Sequence, residues 1–271
     1  MLARAGFPEG LSGDAVFDAP LALAEGANPD VVAGPNAVHI AFEDGGEIFV
    51  ASVDPDTLAF EAPVRVDTGS GEVHAPAIAA HLETGHVYVA YHARRGPGDS
   101  DVYANVSTDG GATFGDEEAR IDDDATGQNQ LNISIAVDQR TNQLLATWED
   151  RRGGANIFFA LSEDNGLTWG TNIETGAGLD GDQFTPRAVV DPGRNSYVIF
   201  IDTSDGQKPM FSRFNPDRTF DPPLPVSTAA GAAGAAAQNP AVAIDKFGSI
   251  FVTWSENRGS PDIDVYFARA E

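Results

Sequence analysis

The chain of 271 residues carries 41 acidic side chains against 16 basic ones, a formal charge of −25, and no cysteine. That balance repels a phosphate backbone and argues against a nucleic-acid partner, while the missing thiols exclude disulfides, thiolate nucleophiles and cysteine-ligated zinc. No apolar run reaches the roughly 18 residues that a membrane helix needs, so no membrane insertion is expected. Residues 1–26 lack the basic and apolar regions of a secretory leader, although a secreted or surface-exposed protein remains the expected setting. Lys208 and Lys246 are the only lysines. Dense carboxylates with so little lysine suit concentrated cations, which predicts a halophilic protein whose melting temperature rises with KCl.

Taken in chain order, short alternating runs are separated by Gly, Asp, Asn and Pro clusters, the pattern of an all-β chain. The apolar runs begin at Pro29, Pro76, Ile133, Pro186 and Pro240, at separations of 47, 57, 53 and 54 residues. A period of that size is one blade of a propeller. Each unit predicts an inner strand, then a strand ending in a large residue at Phe42, Tyr91, Trp148, Phe200 or Trp254. A third strand follows, as in 101–103, 156–158 and 264–266, and a short fourth strand closes the unit. The blades span about 28–73, 74–129, 130–182, 183–237 and 238–271, the last completed by 1–27. Residues 15–23 read as an orphan fourth strand that pairs with the last strand, near 265–269, and hides a sheet edge. The expectation is one domain, a five-bladed β-propeller of four-stranded antiparallel blades.

Two segments inside the repeat match each other residue by residue. Ser107, Asp109, Gly111, Thr113 and Phe114 are echoed by Ser162, Asp164, Gly166, Thr168 and Trp169. Ser and Asp oxygens accept turn N–H groups, Gly takes a positive φ, and the aromatic packs over the turn. This spacing resembles the Asp-box, or BNR repeat, of the sialidase-like β-propellers. Phe17, Phe60 and Phe220 mark eroded copies. The resemblance implies a box that lies away from the ligand face, and six blades in true sialidases, which is the alternative blade count. Sialidase catalysis would further require an arginine cluster, a Tyr–Glu pair, an Asp acid/base and an early Arg-Ile-Pro. The nearest approach here is Thr185-Pro186-Arg187, so no catalytic residue is assigned.

Candidate binding residues come from the opposite loops. Arg95, Arg152 and Arg258 each precede a glycine after the second strand, and Trp148 and Trp254 end two of those strands. The guanidiniums suit a carboxylate or sulfate, while the competing reading has each one bracing its own loop against Asp101, Asn156 or Asp264. His74, Gln130, Gln183 and Gln238, with Asn28 and Asn239, are placed near the central channel, either as a polar ring or as caps for strand starts. No cofactor and no metal site is assigned. Asp122-Asp123-Asp124 and Asp180-Gly181-Asp182 would suit Ca²⁺ or Mg²⁺ if one binds, but read as solvated acidic turns, and His81 and His86 lack a third ligand. The functional expectation is a non-catalytic recognition or scaffold module for an acidic glycan or a protein. The alternative is a sialidase-related glycoside hydrolase or lyase.

Overall fold

A computed structural model of the chain describes residues 5–6, 16–17, 20, 22–69, 71–95, 99–227, 236–258 and 262–270, with the two N-terminal pairs described by their backbone alone. The described residues are all β. Strands β1 (Ala5–Gly6) and β2 (Val16–Phe17) form a small pair of their own. Five antiparallel sheets follow, one per predicted blade. Blade 1 is β3 (Ala27–Ala33), β4 (Val38–Asp44), β5 (Glu47–Val53) and β6 (Val64–Arg65). Blade 2 is β7 (Glu72–Ala80), β8 (Val87–Arg94), β9 (Asp101–Ser107) and β10 (Ala119–Arg120). Blade 3 is β11 (Gln130–Val137), β12 (Leu144–Asp150), β13 (Asn156–Ser162) and β14 (Ile173–Glu174). Blade 4 is β15 (Gln183–Val190), β16 (Ser196–Asp202), β17 (Lys208–Phe214) and β18 (Leu224–Pro225), and blade 5 is β19 (Ala237–Ile244), β20 (Ile250–Glu256) and β21 (Asp264–Ala270).

The inner strands β3, β7, β11, β15 and β19 lie side by side in that order. Apolar residues on both faces of the middle sheets fill the seams. Trp148, Tyr88 and Leu144 lie between blades 2 and 3, Phe159, Phe200 and Leu145 between blades 3 and 4, and Trp254, Ile199 and Val252 between blades 4 and 5. This explains why β8, β12 and β16 are buried almost throughout instead of alternating.

Closure departs from the sequence expectation. The predicted terminal partner, Val16–Phe17, pairs with Ala5–Gly6 and not with β21. Residues 20 and 22–25 form no strand, and Leu23 packs on the Ile40 and Phe42 face of blade 1. Blade 5 is thus three-stranded among the described residues, and Val265 and Phe267 are 79% and 64% exposed. The physical reason is that alternation identifies a strand without naming its partner, and a strand close in sequence loses less chain entropy on pairing than one more than 240 residues away.

The predicted hairpin chemistry is present in both copies. Ser107 Oγ accepts from Gly111 N at 2.8 Å, and Asp109 accepts from Thr113 N and Oγ1 at 2.9 and 2.6 Å. Ser162, Asp164, Gly166 and Thr168 repeat the same distances. The Thr113 hydroxyl, foremost, holds the Asp109 carboxyl below its usual range. Phe114 and Trp169 pack onto neighbouring core clusters.

Candidate functional site

Every inner strand begins with the same distortion. The register slips by one residue between Ala27 and Asp30, His74 and Ala77, Leu131 and Ser134, Phe184 and Arg187, and Gln238 and Ala241. At each slip one non-glycine residue is left-handed: Asn28, Ala75, Asn132, Thr185 and Asn239, with φ between 48° and 53°. Asn tolerates that region, whereas a β-branched Thr there is strained. These bulges ring the channel mouth on the predicted ligand face, where β-bulges commonly re-aim side chains.

A cavity of about 400 Å³ opens there, lined by Asn28, Asp30, Asn132, Ser134, Thr185 and Arg187 among others. Arg187 donates Nη1 to its neighbour Pro186 O at 2.8 Å, and burial lowers its pKa from the usual arginine value, partly offset by Asp30. Asp30 is already engaged, bonding the N–H of Val31 and, across the seam, of Ile78. The mouth therefore carries a partly desolvated guanidinium beside neutral amide and hydroxyl groups.

Beside it, where β4, β7 and β8 start or end, lies a cluster of titratable groups. Glu43 accepts from Asn28 Nδ2 and Ala75 N, both at 2.9 Å, and lies 3.5 Å from His74 Nδ1. His74 packs against His92, ring centroids 5.7 Å apart. His92 is buried with no partner for Nδ1, and burial, helped by His74 and opposed by Glu43, pushes its pKa down to about 4. His92 is consequently neutral near pH 7.

A second cavity of about 400 Å³ lies on the opposite face, around Ser52, Asp54, Phe60 and Gly111. Asp54 there caps its own turn through Asp56 N and Thr57 N, which leaves that cavity lined chiefly by turn backbone and apolar groups.

The predicted arginines stand apart from the channel mouth, each on its own blade. Arg152 bonds Asp150, Asp123 and Asn172 and lies 4.6 Å from the Phe158 ring centroid. Arg258 bonds Glu256 Oε2 at 3.0 Å and lies 3.8 Å over Tyr266. Arg95 pairs with Glu118 and lies 5.3 Å over Tyr103. Trp148 Nε1 and Trp254 Nε1 donate to the same oxygens of Asp150 and Glu256 that the arginines hold, each at 3.0 Å. Trp-x-acid-x-Arg is thus one repeated device: tryptophan and guanidinium meet on a shared carboxylate, and a cross-strand aromatic stacks between them. The brace is an acid two residues before the arginine, not the third-strand residues Asp101, Asn156 and Asp264 that the sequence nominated. In blade 2, Ala93 stands at the acid position, and Glu118 of β10's approach supplies the carboxylate to both Tyr91 and Arg95.

The predicted amides are split. Gln130 reaches Asp124 at 3.4 Å, and Gln183 bonds Ile157 N at 3.1 Å and Gly176 O at 3.3 Å, so each ties its inner strand back to the segment preceding it in the chain, while Gln238 is exposed. Of the nominated residues, His74 and Asn28 belong to the mouth cluster described above. Asp122 and Asp124 accept from Val102 N, Arg120, Thr126 and Gln128, which turns that acidic run into a backbone cap. His81 Nδ1 accepts from Thr84 N, and His86 Nδ1 meets Tyr88 Oη at 3.1 Å, so both histidines serve local packing. Arg187, Glu43 and His92 were missed as site residues. The available signal was positional, since Glu43 and His92 lie near the ends of second strands and Arg187 just past the bulge of an inner one.

No family model and no curated protein matches the chain. Solved structures do. A protein of unknown function from Dyadobacter fermentans matches with a TM-score of 0.65 at 13% identity, over 95% of this chain and 79% of that one. An ulvan lyase, a polysaccharide lyase bound to -[GlcA(1-4)Rha3S]-, matches with a TM-score of 0.65 at 11% identity, over 91% and 70%. A NanB sialidase from Streptococcus pneumoniae matches with a TM-score of 0.53 at 14% identity, over 83% and 36%. At such identities the likeness is one of fold: an all-β propeller of five antiparallel sheets whose structural neighbours include glycoside hydrolases and a polysaccharide lyase.

Proposed function

We propose that this chain is a glycan-recognition propeller that takes an acidic saccharide at the mouth of its channel, with Arg187 as the anchor for a sugar carboxylate or sulfate. The observation that carries this reading is the half-buried Arg187 guanidinium on a polar cavity, bonded through Nη1 to a neighbouring carbonyl. A desolvated guanidinium binds an oxyanion more strongly than an exposed one, because water competes less. Asn28, Asn132 and Ser134 suit the hydroxyls of the same sugar. The bound GlcA and sulfated rhamnose in the lyase neighbour are compatible with such chemistry. The test is calorimetric titration with oligoglucuronate and with a neutral oligosaccharide of equal length. Arg187→Met lowers affinity for the uronate at least 10-fold and leaves the neutral sugar unchanged, by analogy with the loss of a charge-assisted bond. Equal affinity of the variant for the uronate would defeat the proposal.

The His74–His92–Glu43 cluster favours a second reading, uronate lyase activity. In that reaction a neutral imidazole takes the proton from the carbon next to the carboxylate, a carbon–carbon double bond forms, and the carbon–oxygen bond to the leaving sugar breaks as that oxygen takes a proton from solvent. Ultraviolet absorbance of the unsaturated product separates the two. Growth of that signal in the native chain, lost in His92→Gln, makes the module an enzyme.

A further inference from the structure

The repeated carboxylate that anchors a guanidinium in blades 3 and 5 has an unmatched counterpart in blade 4. Asp202 ends β16 as Asp150 ends β12 and Glu256 ends β20. Two residues before it stands Phe200, whose side chain has no N–H to offer, and the arginine position falls on Ser204, within the loop 203–207. Asp202 is fully buried. Its Oδ1 accepts from Ser204 N at 3.0 Å and from the Ser204 hydroxyl, while no protein donor reaches Oδ2. Its cross-strand neighbours are engaged elsewhere: Gln183 holds Ile157 N and Gly176 O, and Lys208 sends Nζ to Asp205 at 2.9 Å.

Two further observations fall on the same place. The Gln207 side-chain oxygen, at the other end of that loop, is also buried and unmatched by any donor. The loop 180–182 presses against it, since a Cβ on Gly181 would meet Ser204 N at 2.1 Å and Asp182 O accepts from Thr203 N at 3.1 Å. The acidic segment Asp180-Gly181-Asp182 is therefore brought to the loop that follows the orphaned carboxylate. Leaving a carboxylate buried without a counter-charge is costly, and an acceptor oxygen without a donor calls for something positive beside it.

We propose that the blade 4 loop holds a hard, oxygen-seeking cation, of the Ca²⁺ or Na⁺ class, in place of the guanidinium held by blades 3 and 5. Among the described residues no three acidic or histidine side chains converge. The ligand set is accordingly mixed, with Asp202 Oδ2 as the charged ligand and loop oxygens and water completing the shell. The loop ties blade 4 to blade 5, because Gln207 bridges Ala236 and its carbonyl accepts from Ala237 N at 3.2 Å.

The experiment is thermal unfolding of the chelator-treated chain, titrated with Ca²⁺, with Mg²⁺, and with NaCl exchanged for choline chloride at fixed ionic strength. Ca²⁺ or Na⁺ raises the melting temperature of the native chain by about 4 °C at saturation, and the same addition leaves Asp202→Asn unmoved. Asp116→Asn, which removes an exposed carboxylate, keeps the full response and so separates this seat from diffuse binding to an acidic surface. In cation-free buffer Asp202→Asn is at least as stable as the native chain, because it removes an uncompensated buried charge. The proposal is overturned if the native chain ignores all three cations, or if Asp202→Asn still responds. Those results would leave Asp202 as a carboxyl satisfied by a proton or by water alone.

Discussion

Blades 3 and 5 share the Trp-x-acid-x-Arg segment and its hydrogen bonds to the carboxylate, each at 3.0 Å, yet their strands live in different surroundings. In blade 3, β12 is buried at every position and Phe159 on β13 is fully enclosed, because blades 2 and 4 press on both faces. In blade 5, β20 alternates and β21 is largely exposed, because blade 4 covers one face and no short fourth strand borders β21 among the described residues. The local device survives this difference, which shows that it is set by residues two and four apart and their cross-strand partner. Burial is what the neighbours add.

The comparison can be broken most severely at the tryptophans. Trp148→Ala removes a side chain from a seam sealed on both sides and is expected to cost about 4 to 5 kcal/mol, against about 3 for Trp254→Ala at the more compliant blade, both read from urea unfolding. Equal costs would mean that the second seam contributes nothing. Blade 2 tests burial by a different route, since His92 lies on the equally enclosed β8. Its folded pKa of about 4 lies below the unfolded value of about 6.5, so the unfolded chain takes up a proton first as the pH falls. Stability is unaffected above about pH 6.5, declines by up to about 3 kcal/mol between there and pH 4, and levels off below. His92→Gln is expected to remove that part of the slope.

At the guanidiniums the effect is smaller. Arg152→Met leaves the fully buried Asp150 without its counter-charge and costs about 2 kcal/mol, while Arg258→Met, at a more exposed site, costs about 1. The smallest effect belongs to the open face. Val265→Thr with Phe267→Thr is expected to change stability by less than about 0.5 kcal/mol and to raise the soluble fraction, by the removal of exposed apolar area. A large loss of stability would show that this face is already covered.

The repeat was readable because inner strands announce themselves with Pro29, Pro76, Pro186 and Pro240 after polar turns, and because two hairpins spell out their own hydrogen bonds. The closure was not, since alternation at residues 15–23 carries no address. The arginines were visible as a periodic feature, and their carboxylates were visible too, two positions earlier in blades 3 and 5. Glu118 was beyond reach: it replaces the missing acid at Ala93 from 25 residues downstream, a substitution that only packing reveals. Arg187 hid for the opposite reason, since beside Pro186 it looked like the opening of one more strand. Its role depends on three other blades meeting around it.

The left-handed residue at the head of each inner strand has a consequence for how this scaffold accommodates change. The aperture is drawn by main-chain geometry, five times over, and not by the bulk of whatever projects into it. Replacing the groups on the rim alters what is gripped without altering the width of the grip. One backbone outline can thereby serve many cargoes.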